Sequence, residues 1–185
     1  MAQNPDSLEG KVALITGAAH RLGAQIARCL HAQGLDLVLH YRQSAAAARA
    51  LQAELTVFRP ASVLLVQADL HDCEQFPALL ERVSAFRGRL DVLVNNASSF
   101  YPTPLDQVTE TQWDDLIGSN LKGPFFLTPQ AAPLLRAAAG CVINMVDIHA
   151  ERPLKDHTVY SIAKAGNAMM VKALARELGP DVRVN

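Results

Sequence analysis

Val12-Ala13-Leu14-Ile15-Thr16-Gly17-Ala18-Ala19-His20-Arg21-Leu22-Gly23 is the stretch that decides the fold. A short run rich in branched apolar residues ends at Thr16, Gly17 follows at once, and a helical pattern containing Gly23 opens at Leu22. The run lacks strict alternation, as expected of a strand buried on both faces. Gly17 permits a sharp turn, and Gly23 permits helix and strand to approach closely. The helix start then offers free N–H groups and positive dipole to a pyrophosphate. A glycine turn that holds no ligand is the plainer alternative.

Outward from this turn, short apolar runs alternate with longer helical patterns. The predicted strands are Val12–Thr16, Asp36–His40, Ser62–Gln67, Leu90–Asn95 and Cys141–Val146. The predicted helices are Leu22–Gln33, Ala45–Leu55, Glu74–Phe86, Trp113–Ala138 and Tyr160–Leu178. The fourth helical interval is long enough to bend or break at Gly123-Pro124. The alanine-rich Ser44–Ala50 reads as a helix start, since alanine is the best helix former. The alternation implies right-handed crossovers and an α/β fold: a Rossmann-type, doubly wound parallel sheet with helices on both faces. One domain over residues 1–185 is expected, with no repeat or low-complexity linker. After Gly179-Pro180, residues Asp181–Asn185 begin another strand, so further C-terminal strands are expected beyond this chain, leaving the fifth strand as an exposed edge.

Half of the 185 residues are apolar, enough for a sizeable core, and the formal net charge is −1. That balance gives nucleic acid or an anionic membrane nothing to attract. Cys29, Cys73 and Cys141 are scattered, without metal-ligand spacing, and are expected as buried or half-buried thiols; no metal is expected. The N-terminal MAQNPDSLEG lacks the features of a secretory signal, and no apolar run reaches the roughly 20 residues of a membrane span. A cytoplasmic protein is the expectation.

The end of the second strand bears on the cofactor. A site for NAD usually places an acidic residue there, roughly 20 residues past the glycines, to hold the ribose 2′-OH. Here stands His40-Tyr41-Arg42-Gln43-Ser44, with no acid. Arg42 suits a 2′-phosphate and the Ser44 hydroxyl can add a hydrogen bond, which favours NADPH; otherwise Arg42 is a solvated surface charge. Asp69, before Leu70, either accepts from the adenine amino group or caps the next helix. Asn95-Asn96-Ala97-Ser98 ends the fourth strand at the carboxyl edge, where open α/β sheets bind ligands.

Tyr160-Ser161-Ile162-Ala163-Lys164 opens the last helix and puts phenol and ammonium on one face. An ordinary tyrosine titrates at about 10, and a nearby ammonium is expected to lower that value and make the phenol a competent general acid. Alone, such a pair is common by chance. In company with the glycine turn, the Asn95–Ala97 triplet and Asn120 in the long helix, it resembles the short-chain dehydrogenase/reductase family across the whole chain. The resemblance implies a seven-stranded parallel sheet and a catalytic set of Asn, Ser, Tyr and Lys. Asn120 matches the Asn, which in the family holds a water linking the lysine to solvent.

The departures from that pattern are specific. Asp147 stands where the family has its serine, Arg21 replaces the middle glycine of the turn, and Ser98 follows the Asn–Asn–Ala triplet. With Ser98-Ser99-Phe100-Tyr101-Pro102-Thr103-Pro104-Leu105, His40-Tyr41-Arg42 and Asn144-Met145-Val146-Asp147, they look like the pteridine reductase branch. A carboxylate beside a developing alkoxide would be costly, whereas the ring nitrogens and amino group of a pterin suit one. The resemblance implies NADPH-dependent reduction of a pterin, with dihydrofolate as a further substrate. Catalysis falls to Tyr160, Lys164, Asp147 and Asn120. Cofactor binding falls to Gly17, His20, Arg21, Leu22, Gly23, His40, Tyr41, Arg42, Ser44, Asp69, Leu70, Asn96, Ala97, Ser98, Tyr160 and Lys164. Arg21, Ser98, Phe100, Asp147 and Tyr160 would touch the substrate, with Phe100 stacking on it; otherwise Phe100 is a core aromatic.

The family is mostly tetrameric, which implies a homotetramer built through the Trp113 and Tyr160 helices. Trp113 itself reads as packing. His149 and His157 flank the site without a metal-ligand set, and Arg152 and Lys155 are loop charges or attract an anionic substrate. Two other functions stay open: reduction of an ordinary carbonyl or imine with Asp147 a tolerated variation, and a non-catalytic protein that senses NADP(H).

Overall fold

The computed structural model describes residues 7–185. The reading of the N-terminus as no secretory signal rests mainly on residues 1–6, which lie outside the described residues. Six strands are described: β1 (Val12–Ile15), β2 (Asp36–Tyr41), β3 (Val63–Gln67), β4 (Val92–Asn95), β5 (Cys141–Asn144) and β6 (Arg183–Val184). They form one parallel sheet in the order β3-β2-β1-β4-β5-β6. The helices are α1 (Arg21–Ala32), α2 (Ala45–Phe58), α3 (Phe76–Arg87), α4 (Glu110–Ile117), α5 (Gly123–Ala137) and α6 (Thr158–Leu178).

Successive residues of β1 point to opposite faces, and each face has its own core. Val12 and Leu14 join Val38, Leu93 and Val142 in a layer closed by Phe76, Leu79 and Val83 of α3, Leu127 and Leu135 of α5, and Met170 and Leu174 of α6. Ala13 and Ile15 join Leu37, Leu39 and Val94 under Ala24 and Ala27 of α1 and Leu51 and Leu55 of α2. A strand buried on both sides needs apolar residues at every position, so its run cannot alternate. The chain leaves β1 for β2 and β3 on one side, then returns to β4 on the other. The crevice where the order reverses opens between the carboxyl ends of β1 and β4, the usual ligand position in open α/β sheets.

Four expectations need correction. The helical interval expected over Trp113–Ala138 starts earlier, at Glu110, because Thr109 and Gln112 form a reciprocal capping box. It is also divided by a wide π-type turn, Gly118–Lys122, and α5 begins at the Gly123-Pro124 step where a break was expected. The strand β5 is not the edge: β6 pairs with it through Cys141↔Arg183 and Val142↔Val184. Cys29 is exposed rather than buried, and Trp113, expected as packing, is 42% exposed on α4. Among the described residues no helix is long and apolar enough to cross a membrane, and no group of His, Cys, Asp and Glu is placed to hold a metal.

Candidate active site

The turn after β1 is fastened to β4. Thr16 Oγ1 accepts from the N–H groups of Asn96 and Ala97 at 2.9 and 3.0 Å, and Asn96 Nδ2 donates to the carbonyls of Thr16 and Gly17. Gly17 has φ +61°, and a Cβ there would lie 2.8 Å from Ala97 Cα. A Cβ on Gly23 would lie 2.4 Å from the Gly17 carbonyl oxygen and 2.6 Å from Asn96 Nδ2. Both glycines are therefore required by close backbone approach, and Gly17 also by its left-handed conformation. Arg21 takes φ +47° and opens α1. His20 at the N-cap makes no side-chain bond to the helix, so the first N–H groups of α1 have no side-chain cap where the cleft begins.

The cleft has a volume of about 510 Å³ and runs from the β2 end, over the glycine turn, to α6. Its lining takes in every cofactor and substrate residue expected from the sequence: Gly17, His20–Gly23, His40–Arg42, Ser44, Asp69, Leu70, Asn96–Ser98, Phe100, Asp147, Tyr160 and Lys164. Asn120 lies just behind it, fully buried. The group fits a dinucleotide on two observations of this chain. Any side chain at Gly17 or Gly23 would clash within the turn that forms the cleft floor, and the lining there presents main-chain donors together with Arg21 and Arg42 for negative charge.

His40 differs from expectation. It is 2% exposed; Nδ1 accepts from the Gly17 N–H at 3.1 Å, and Nε2 lies 3.1 Å from the Ala68 carbonyl, to which it donates. With both nitrogens engaged, the ring braces the glycine turn from below and has no polar atom left for a ligand. Burial pushes its pKa down to about 4, against the pull of the Ala68 carbonyl and Asp69. Asp69 is no helix cap either, since Asp72 accepts from the Glu74 N–H; Asp69 Oδ1 instead accepts from the His71 N–H at 3.0 Å and faces its ring at 2.7 Å. Ser44 precedes α2 with its hydroxyl uncommitted to the helix.

At the other end, α6 brings Tyr160 and Lys164 into the cleft, each 4% exposed. Tyr160 donates its hydroxyl to Asp147 Oδ2 at 2.8 Å, while Asp147 Oδ1 accepts from the His149 N–H at 2.9 Å as the cap of a short 3-10 turn. Lys164 Nζ donates to the Met145 carbonyl at 2.8 Å and lies 5.6 Å from the Tyr160 ring centre. The expected lowering of the tyrosine pKa by the lysine is therefore overturned. Burial and the adjoining Asp147 carboxylate push the phenol well above its ordinary value. Burial also works against charge on Asp147, but the bonds from the His149 N–H and the Tyr160 hydroxyl, with the nearby Lys164 ammonium, outweigh it and hold its pKa below the usual range. Burial lowers the Lys164 pKa, with Asp147 opposing.

Phe100 is no core residue. It is 53% exposed, stacks on His157 with ring centres 4.7 Å apart, and meets Tyr160 edge-on at 4.8 Å. Ser98 Oγ donates to Asn120 Oδ1 at 2.6 Å, and Asn120 Nδ2 donates to the Ser99 carbonyl at 2.9 Å. The Asn120 side chain thus ties the loop after β4 to the π-type turn. Its own carbonyl accepts from Asn167 Nδ2 at 2.8 Å. Asn167 was missed in the sequence, although it lies two helical turns beyond Tyr160 on the same face of α6. His71, Tyr101 and Asp115 were also missed; they enter the site only through contacts between distant segments.

The short chain dehydrogenase family model matches residues 11–185. The chain is 38% identical to pteridine reductase 1 of Leishmania tarentolae, over 94% of this chain and 74% of that protein. It is 37% identical to a D-xylose 1-dehydrogenase of Caulobacter vibrioides, over 95% of this chain and 68% of that protein. It is 34% identical to a 3-oxoacyl-[acyl-carrier-protein] reductase of Staphylococcus aureus, over 91% of this chain and 68% of that protein.

Proposed function

Because the chain belongs to the short-chain dehydrogenase family and is thereby an NAD(P)-dependent oxidoreductase, we propose that it reduces pterins with NADPH, taking dihydropterin and dihydrofolate to their tetrahydro forms. The observation that carries this is the 2.8 Å bond from the Tyr160 hydroxyl to Asp147. A reductase of ordinary carbonyls presents neutral donors to an oxygen that gains negative charge, and a carboxylate at that spot would oppose the charge. A pterin offers an amino group and ring N–H donors to the carboxylate, and a ring nitrogen that must be protonated. The relative named pteridine reductase 1 points the same way.

The main-chain donors at the start of α1, Arg21, Ser98, Arg42 and Ser44 would hold the cofactor phosphates, and Lys164 its nicotinamide ribose. The bound cofactor supplies hydride to a ring carbon of the substrate. The chain supplies the proton. Tyr160, kept protonated by burial and by Asp147, hands its proton to the adjacent ring nitrogen. Asp147 orients the hydroxyl and accepts from the pterin, and Lys164 offsets the negative charge left on the Tyr160–Asp147 pair. Phe100 covers the flat face of the heterocycle, and its contacts with His157 and Tyr160 fix its plane. Asn120 and Asn167 keep the loop and α6 in register. The working assembly is a homotetramer using α4, α5 and α6, which expose Trp113, Phe125, Phe126, Ile162 and Met169.

The test is NADPH oxidation with dihydrobiopterin, dihydrofolate and a panel of ketones, with NADH as the alternative donor. Turnover is expected with the pterins and NADPH, and a loss of about 10²-fold or more in Tyr160→Phe. Turnover of ketones alone would establish a carbonyl reductase, and binding of NADPH without turnover of any substrate would establish a sensor.

A further inference from the structure

Four charged or titratable side chains from three segments meet at the end of the cleft assigned to the cofactor's adenosine. Arg42 follows β2, Asp69 and His71 follow β3, and Asp115 comes from α4. Arg42 Nη1 lies 3.7 Å from Asp115 Oδ1 and 3.9 Å from Asp69 Oδ1, within ion-pair reach of both but beyond hydrogen-bond distance of either. His71 is wedged between the same two residues. Its Nδ1 lies 2.7 Å from Asp69 Oδ1; its Nε2 lies 3.1 Å from the Asp115 carbonyl and 3.3 Å from Asp115 Oδ1. A Cβ on Gly118 would lie 2.3 Å from the His71 ring, so the ring rests directly against the helix backbone. Tyr101 donates to Asp115 Oδ2 at 3.0 Å, which holds the carboxylate's other oxygen.

These contacts give the Arg42 guanidinium two acidic neighbours. A 2′-phosphate carries close to two negative charges, whereas a 2′-hydroxyl carries none. A carboxylate that shares the guanidinium therefore opposes the phosphorylated cofactor and leaves the other almost unaffected. We propose that Asp115 is a specificity-determining residue, which competes with the 2′-phosphate for Arg42 and so moderates the preference for NADPH over NADH. His71 and Tyr101 are the positioning residues that keep its carboxylate aimed at Arg42. Asp115 lies more than seventy residues from Arg42 along the chain, so the adenosine end is tuned from α4 rather than from the β2 turn alone. Tyr101 adjoins Phe100, so the same contacts reach the substrate wall.

The inference rests on NADPH being the preferred cofactor, and the experiment separates the two. NADPH and NADH are titrated against wild type, D115N, D115E, R42A and the R42A/D115N double variant, following cofactor fluorescence. D115N is expected to tighten NADPH about five-fold and leave NADH unchanged, since the half-buried carboxylate that competes with the 2′-phosphate for Arg42 is removed. D115E keeps the wild-type ratio of the two dissociation constants. In the R42A background D115N has no effect on the ratio, because the shared guanidinium is gone. D115S, which also removes the charge, is expected to match D115N and serves if that variant folds poorly. Wild type that prefers NADPH, with a ratio unmoved by D115N and D115S, overturns the inference alone. An equal shift for both cofactors does the same, as does an unchanged effect without Arg42. Wild type that shows no preference for NADPH, with R42A neutral, overturns the cofactor assignment and the inference together.

Discussion

At Asp147 the two carboxylate oxygens serve different partners: one holds the His149 N–H and so fixes the turn, the other holds the Tyr160 hydroxyl. The second contact makes the tyrosine a firmer acid store than a lone phenol. A carboxylate beside it penalises ionisation, as does burial, so Tyr160 keeps its proton above the pH at which an ordinary tyrosine loses it. Asp147→Asn removes the charge and keeps the shape. Turnover should fall by about 10²-fold or more. The alkaline limb of the rate profile should move to lower pH, because the amide no longer holds the phenol up. A pH profile of kcat checks this, and an alkaline limb that stays in place or moves upward would show that Asp147 does not govern the phenol.

Between elements, the decisive contact is the one that α1 makes with the β1 turn. Gly23 brings the helix start so close to Gly17 and Asn96 that even one methyl group meets backbone at 2.4 Å. Gly23→Ala must therefore displace either the helix or the turn. Loss of at least ten-fold in cofactor affinity is expected, with a lower melting temperature, since overpacking of this kind costs roughly 1–3 kcal/mol. Cofactor titration and thermal unfolding measure the two effects, and wild-type values for both would refute the packing argument. The break between α4 and α5 belongs to the same scale. Its position near Gly123-Pro124 was legible in the sequence, because proline cannot continue a helix with an intact bond ladder. That the break is a π-type turn presenting Asn120 to Ser98, Ser99 and Asn167 was not. Those bonds join segments that are remote along the chain.

For the molecule as a whole, His40 couples the turn to global stability. Its pKa is about 4 in the folded protein against the ordinary value of about 6.5. Between these values the unfolded chain binds a proton that the folded one refuses, so acid favours unfolding. The contribution is absent above about pH 6.5, grows as pH falls, and reaches roughly 3 kcal/mol by pH 4. His40→Asn should show a weaker loss of stability than wild type between pH 6.5 and 4, measured by denaturant unfolding at stepped pH. An identical slope in the two proteins would place the proton-linked group elsewhere.

The α/β class, the order of elements and part of the cleft followed from local signals, while Arg21, Ser98, Phe100, Asn120 and Asp147 were expected at the site only through the family resemblance. Runs such as Val12–Ile15 can only be buried on both faces, Gly17 and Gly23 answer to local geometry, and Tyr160 and Lys164 share a helix face by spacing alone. Only the tertiary structure decided what surrounds each of these groups. It set Asp147 rather than Lys164 in charge of the Tyr160 proton, turned His40 inward as a brace, and placed Asp115 against Arg42. The reason is physical. Periodicity and turn chemistry are written in neighbouring residues, but burial and the field at a titratable group are sums over contacts from segments far apart in the chain, and those distances exist only once the sheet has assembled.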